Sequence, residues 1–410
     1  MYPVTQNYKN SYRPSDIAWN RPAFTSQKQT LNVDKVEKIN NISPNEKPTK
    51  MLLSLLKSSL MGGNVDTEAF KGANRYDWEK LLEIANEASV TAIASDSCYK
   101  LPKRTIPTDI AIQMFEVRKE TEQKHELQEK ILDTLSKKFE KENIETVQLK
   151  GVGLSMNYPV PQHRFGGDID VFTRIKGTVT QNRSNASDII DNMMFSEGYS
   201  IDDYKMPKIK HSEFEYNGVR IENHRYFVNK EILLEAGKID EYLHKTLNPR
   251  KQILPNGTKI LVPSKEFNTV FLAQHAFQHY VFGGIDLHHL TDWGMHIKEN
   301  GLNFPKELNG TKLEEFTYAF TNLSNKYLGT KIDVPANKEY EADIFKTILN
   351  PASDAMPEGL SNIEVLAFKF NRFMKKAKRA EKFGGHNAIS ALARNIALKL
   401  KDPSKLLVRI

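Results

Sequence analysis

The chain has 410 residues, 39% of them hydrophobic and 27% charged, and carries a net charge of +7; that length holds a sizeable core and two or three structural units rather than one. No run approaches the roughly 18 apolar residues of a membrane span, and no basic start followed by an apolar run marks a secretory leader. Cys98 is the single cysteine, which excludes an internal disulfide and a thiolate zinc cluster and makes a reducing cytoplasm the expected location.

In chain order, residues 1–49 are rich in Asn, Pro, Ser, Thr and Lys without hydrophobic periodicity and read as an extended, partly disordered arm. Residues 50–143 read as an N-terminal helical region. There MLLSLLKSSL, DWEKLLEIANEASVTAIASDSCYKL and the stretch from Asp109 to Asn143 repeat apolar residues at three- and four-residue spacing. Thr108 or Asp109, after Pro107, is the expected cap of the long helix. The period then shortens. Ile144 to Leu149 reads as a strand, Gly151 to Asn157 as a helix start, Asp168 to Thr173 as a second strand and Ala186 to Glu197 as a helix. Tyr204 to Lys210, Ser212 to Tyr216 and Val219 to Val228 are expected antiparallel strands, the last two joined by the hairpin signal Asn217-Gly218. The fold class is therefore α+β: a small mixed sheet with helices on it over residues 144–262, flanked by helical regions. The C-terminal region, 263–410, ends in a tail whose last 50 positions hold 12 Lys or Arg against 3 Asp or Glu. Apolar residues at helical spacing make these amphipathic helices with solvated basic faces, and no aromatic-rich motif supports nucleic acid as a partner.

Chemistry concentrates in LKGVGLSMNYPVPQHRFGGDIDVF, residues 149–172. On an extended strand Asp168 and Asp170 project to one face while Ile169 and Val171 point to the other. Two carboxylates so placed suit a hard divalent cation, whose shell is completed by phosphate oxygens and water. Lys150 brings a point charge, and Gly151 and Gly153 open a helix whose free N–H groups favour phosphate. Ser155 is a candidate phosphate donor. Arg164 either forks a phosphate or pairs with an aspartate. Downstream, Glu222 and His224 share a strand face, with Glu213 and Glu215 as rivals one strand earlier.

Leu149-Lys150-Gly151, Tyr158, Arg164 and Asp168-Ile169-Asp170, in that order, resemble the motif set of an uncharacterised nucleotidyltransferase family within the polymerase-beta-like nucleotidyltransferase superfold. The similarity extends upstream to RYDWEKLLEIANEASVTAIA and downstream to GVRIENHRYF, roughly residues 51–300 in all. The adjacent Gly-Ser pair of the wider superfamily is replaced here by Gly151, Gly153 and Ser155. The resemblance implies Mg²⁺ (or Mn²⁺) held by Asp168, Asp170 and Glu222, and a nucleoside triphosphate, ATP first, approached by Lys150, Gly151, Gly153, Ser155 and Arg164. It makes Glu222 the third acid, serving an acceptor hydroxyl of unspecified identity. His224, His279 and Asp292 are the implied lining of an acceptor pocket.

Two other classes compete. One is a nucleotide- or partner-binding protein that has kept the fold without catalysis. The other is a zinc-dependent hydrolase built on His275 and His279, which lie at i and i+4, with Asp286, His288, His289 or Asp292 as further ligands. Against the latter, the stretch reads His-Ala-Phe-Gln-His and lacks the glutamate of a His-Glu-x-x-His motif, which makes packing of a helical domain the plainer role for these histidines.

Overall fold

The computed structural model describes residues 42–177, 185–202, 210–228, 235–282 and 284–350, with nine further positions between Glu364 and Phe383. The expected arm over residues 1–41, nearly all of the strand expected over 204–210 and most of the basic tail lie outside the described residues.

Helix α1 (Lys47–Met61) carries Pro48 in its first turn, where the missing N–H costs no bond, and buries Met51, Leu52, Leu55 and Leu56. Helix α2 (Arg75–Glu87) is opened by a capping box in which the Asn74 side chain accepts from the Asp77 N–H and Asp77 from the Asn74 N–H. Such a box contributes about 1 kcal/mol. After the short α3 (Thr91–Ser95) comes α4 (Thr108–Glu140), 33 residues long. Its N-cap is Pro107, so the cap expected of Thr108 or Asp109 is corrected: Asp109 lies inside the first turn and pairs with Arg75 of α2 at 2.6 Å.

Six strands follow: β1 (Ile144–Gln148), β2 (Ile169–Ile175), β3 (His211–Tyr216), β4 (Val219–His224), β5 (Arg250–Ile253) and β6 (Lys259–Val262). They form one mixed sheet in the order β3-β4-β2-β1-β6-β5. β2 runs parallel to β4 and β1 to β6, while the other neighbours are antiparallel. The β3–β4 hairpin turns at Asn217 and Gly218, with φ of 50° and 77°, the left-handed pair that a two-residue turn requires. Between strands lie α5 (Gly151–Ser155), α6 (Asn185–Ser196) and α7 (Ala236–Thr246). Four helices complete the described fold: α8 (Lys265–Phe282), α9 (Leu287–Asn300), α10 (Lys312–Tyr327) and α11 (Lys338–Leu349).

Period-2 alternation divides the sheet between two cores. Ile169, Val171, Phe214 and Ile221 share one core with Ile131, Leu132, Leu135 and Phe139 from the C-terminal half of α4, and with Ile190 and Met194 of α6. Val147 and Phe172 belong to the other, which runs through Phe271 and Trp293 to Leu52 and Leu56 and takes in Ile110 and Met114 from the N-terminal half of α4. The helices before and after the sheet therefore share a single core, and α4 serves both cores. On the first face Asn223 donates to Asp191 and to the Ser187 carbonyl and accepts from Thr173. Asp191 also pairs with the buried Arg225. These bonds tie β2, β4 and α6 together, so the residues on the opposite face of the same strands are held in register.

Candidate active site

The face opposite that network carries the acids. Asp170 and Glu222 are Cα partners on the parallel pair β2 and β4. His224, two residues beyond Glu222 on the same face, is fully buried, with Nε2 3.1 Å from Asp170 Oδ1 and 3.3 Å from Glu222 Oε2. One imidazole nitrogen thus bridges the two carboxylates. Lys150, just after β1, places Nζ 3.1 Å from Asp170 Oδ2. Asp168 immediately precedes β2, and its backbone carbonyl, like that of Gly166, accepts from Gln128 of α4. A Cβ on Gly166 would meet Gln128 Oε1 at 2.4 Å, so a larger residue there would push the Gln128 amide out of its bonds to this loop.

Electrostatics separates the three acids. Burial works against ionisation of Asp170, yet Lys150 and the bond with His224 outweigh it and hold the carboxyl well below its usual range. Burial likewise opposes a charged Glu222, and His224 brings it below its ordinary value. Asp168 makes no side-chain hydrogen bond or ion pair among the described residues, and the more distant charge of Lys150 only partly offsets what raises it. Burial, and then the charge of Asp170, push it up to about 6. The cluster therefore carries more negative charge than its own cations relieve. Lys150 is lowered by burial but raised by Asp170, Asp168 and Glu222, with a net rise. Lys210 feels the same three acids, but burial and the like charge of Lys150 leave it lowered.

The glycine turn answers to packing. Gly151 has φ of +56°, and a Cβ there would meet Gln148 Nε2 at 2.5 Å; a Cβ on Gly153 would meet Val262 Cγ1 at 2.7 Å. The Gly153 N–H donates to Gln148 Oε1 at 2.9 Å, so it is not free for phosphate. Ser155 is corrected as well: its buried hydroxyl donates to the Val152 carbonyl and lies 3.0 Å from His125 Nε2. Arg164 spends its donors inside the protein, with Nε and Nη2 each 2.7 Å from Asp292 and Nη1 3.3 Å from the Gly151 carbonyl. Ser155 thus has a structural partner in place of a phosphate, and of the two roles open to Arg164 the structure shows ion pairing, with Asp292 rather than with Asp168 or Asp170. Lys150 alone of that set reaches the acids.

The expected acceptor pocket of His224, His279 and Asp292 divides among three clusters. His224 is the strut between Asp170 and Glu222. Asp292 is buried under Arg164 and also accepts from the Tyr158 hydroxyl. His279 stands beside His275 and His289, with ring centroids 4.5 Å from each. Burial, then neighbouring positive charge, keeps His275 and His279 well below the usual imidazole value, so both are neutral at pH 7.

Two further groups stand at the acid cluster: Lys210, a cross-strand cation that the sequence already offers to Glu222, and His211, which it does not single out. Lys210 flanks the acids as a second cation, though its number alone places it only one residue before β3. His211 lies 3.2 Å from Glu222 and 3.0 Å from Glu213, the Cα partner of Glu222 on β3. Glu213, a rival for the third acid, thus stands in the same row. The alternation of HSEFEY carried that signal.

Residues 74–329 match the family described as uncharacterised nucleotidyltransferase, well over half of the chain. The chain belongs to that family. Neither a curated protein nor a solved structure matches it. The mixed sheet with helices on both faces is consistent with a nucleotidyltransferase fold, and no helix among the described residues is long and apolar enough to cross a membrane. Carboxylate oxygens are the donor type a hard divalent cation takes, yet among the described residues the ligand atoms that gather within 4.8 Å of one another on this sheet face are those of His211, Glu222 and His224, with Asp168 and Asp170 outside that group.

Proposed function

We propose that this nucleotidyltransferase moves a nucleoside monophosphate from a nucleoside triphosphate, ATP first, to an acceptor hydroxyl, using Mg²⁺ or Mn²⁺ held by Asp168, Asp170 and Glu222. The observation carrying this reading is the row of Asp170 and Glu222 across parallel strands with Asp168 beside it and Lys150 on Asp170. A divalent cation bound to these oxygens supplies Lewis acidity at the phosphate oxygens. Lys150 and Lys210 add positive charge where the triphosphate becomes more negative as pyrophosphate departs. Glu222, kept ionised by His224, accepts the proton of the acceptor hydroxyl. The hydroxyl oxygen bonds to the α-phosphorus, and the bond from that phosphorus to the oxygen bridging toward the β-phosphate breaks. Because phosphoryl-type transfer asks a protein mainly for positioning and charge stabilisation, removing one acid is expected to cost at least about 10²-fold in rate.

The test is incorporation of label from each of the four nucleoside triphosphates into a cell extract, with Asp168→Ala as the blank. Label transferred by the wild type and absent with Asp168→Ala is the expected result. Equal incorporation by the folded variant would overturn the assignment.

A further inference from the structure

Three imidazoles converge where α8 meets α9. His275 and His279 occupy one face of α8 at i and i+4, and His289 enters from the first turn of α9. Their ring centroids are 4.5 to 5.4 Å apart, and one ligand nitrogen from each lies within 4.8 Å of the other two. His289 Nδ1 stands 2.8 Å from Asp286 Oδ1, the contact that fixes ring orientation in metal-bound histidines. All three residues are half-buried, which leaves an approach for an ion. His279 makes no side-chain hydrogen bond among the described residues, though a half-buried imidazole normally has one.

We propose that His275, His279 and His289 form a second metal site, separate from the acid cluster, for a divalent cation of the imidazole-preferring class, zinc first. Three imidazoles leave a fourth position for water or a substrate oxygen. Nitrogen donors favour zinc and its neighbours, whereas the carboxylates of the acid cluster favour magnesium or manganese, so the two places select different ions. Lys150 connects them: its Nζ is 3.1 Å from Asp170 Oδ2 and 3.4 Å from His275 Nε2. A cation that takes this His275 lone pair leaves the ammonium to Asp170.

The full-length protein, stripped with a chelator, is titrated with Zn²⁺ against a chromogenic chelator and with Co²⁺ followed by visible absorption. Expected are one bound equivalent and four-coordinate Co²⁺ bands in both the wild type and Asp168→Ala, loss of both in His279→Gln, and roughly 10–100-fold weaker binding in Asp286→Asn. Circular dichroism checks folding; should His279→Gln not fold, Asp286→Asn decides. No binding by the wild type overturns the proposal, as does loss in Asp168→Ala or unchanged affinity in the folded His279→Gln or Asp286→Asn proteins.

Discussion

Two buried carboxylate clusters lie on either side of the β1–α5 turn, and they are built on opposite principles. At Asp292 both oxygens are engaged by Arg164, the Tyr158 hydroxyl adds a further bond, and Arg164 more than offsets the cost of burial, holding the carboxyl below its ordinary value. On the central strand β2, Asp170 is satisfied by Lys150 and His224 while Asp168, just before that strand, is pushed up to about 6. The first cluster is complete and joins the segment between α5 and β2 to α9. The second has Lys150 and Lys210 beside it, yet burial and the charge of Asp170 still leave Asp168 raised. Burial alone therefore does not mark a functional acid; incomplete compensation does.

The largest effect expected from this difference is on stability. Asp292→Ala leaves the buried Arg164 guanidinium without a counter-charge and should cost about 3–5 kcal/mol in denaturant unfolding. Asp168→Ala, which removes a repelled carboxylate, should cost nothing or stabilise slightly. Asp170→Ala belongs with Asp292→Ala in kind, because it strips Lys150 of its partner; Asp170→Asn is the gentler variant for activity work. Equal losses in Asp292→Ala and Asp168→Ala would erase the distinction between the clusters.

A smaller effect lies in pH. Asp168 rises from an ordinary 3.8 to about 6, so between those values the folded state binds more protons than the unfolded state, and its contribution to stability falls as pH rises through that window. After allowance for solvent screening the change amounts to about 1–2 kcal/mol. Melting temperatures of the wild type and Asp168→Asn across this range should therefore converge at the acid end and separate toward pH 6, with the variant the more stable. Parallel curves would mean that burial and the charge of Asp170 do not raise this carboxyl.

Much of this site is legible in the sequence because strand alternation is strict. Asp168 and Asp170 straddle Ile169, and Glu222 stands between Ile221 and Asn223, so the core-facing residues announce which face the acids take. The hairpin at Asn217-Gly218 is equally local. What could not be read depends on distant partners. Gly151, Gly153 and Ser155 have the composition of a phosphate turn, but Gln148, Val262 and His125 pack against them and claim the space and the hydrogen bonds. Arg164 meets Asp292 from 128 positions away. β5 and β6 carry little local signal although Asn256-Gly257 lies between them, because RKQI has no apolar alternation and is mostly exposed at the sheet edge. The sharing of one core by the first and last helices is likewise a property of the fold, since amphipathic stripes do not name their partners.

The central claim is that Asp168, Asp170 and Glu222 hold one divalent cation with the nucleotide. Its most direct test is Mn²⁺ binding followed by electron paramagnetic resonance, in the presence of a non-hydrolysable ATP analogue, for the wild type, Asp168→Asn and Glu222→Gln. One nucleotide-dependent Mn²⁺ in the wild type, weakened at least about tenfold in each variant, is the expected result, a loss of roughly 1.4 kcal/mol or more. Absence of that ion from the wild type, or its retention at full affinity in both variants, would contradict the claim.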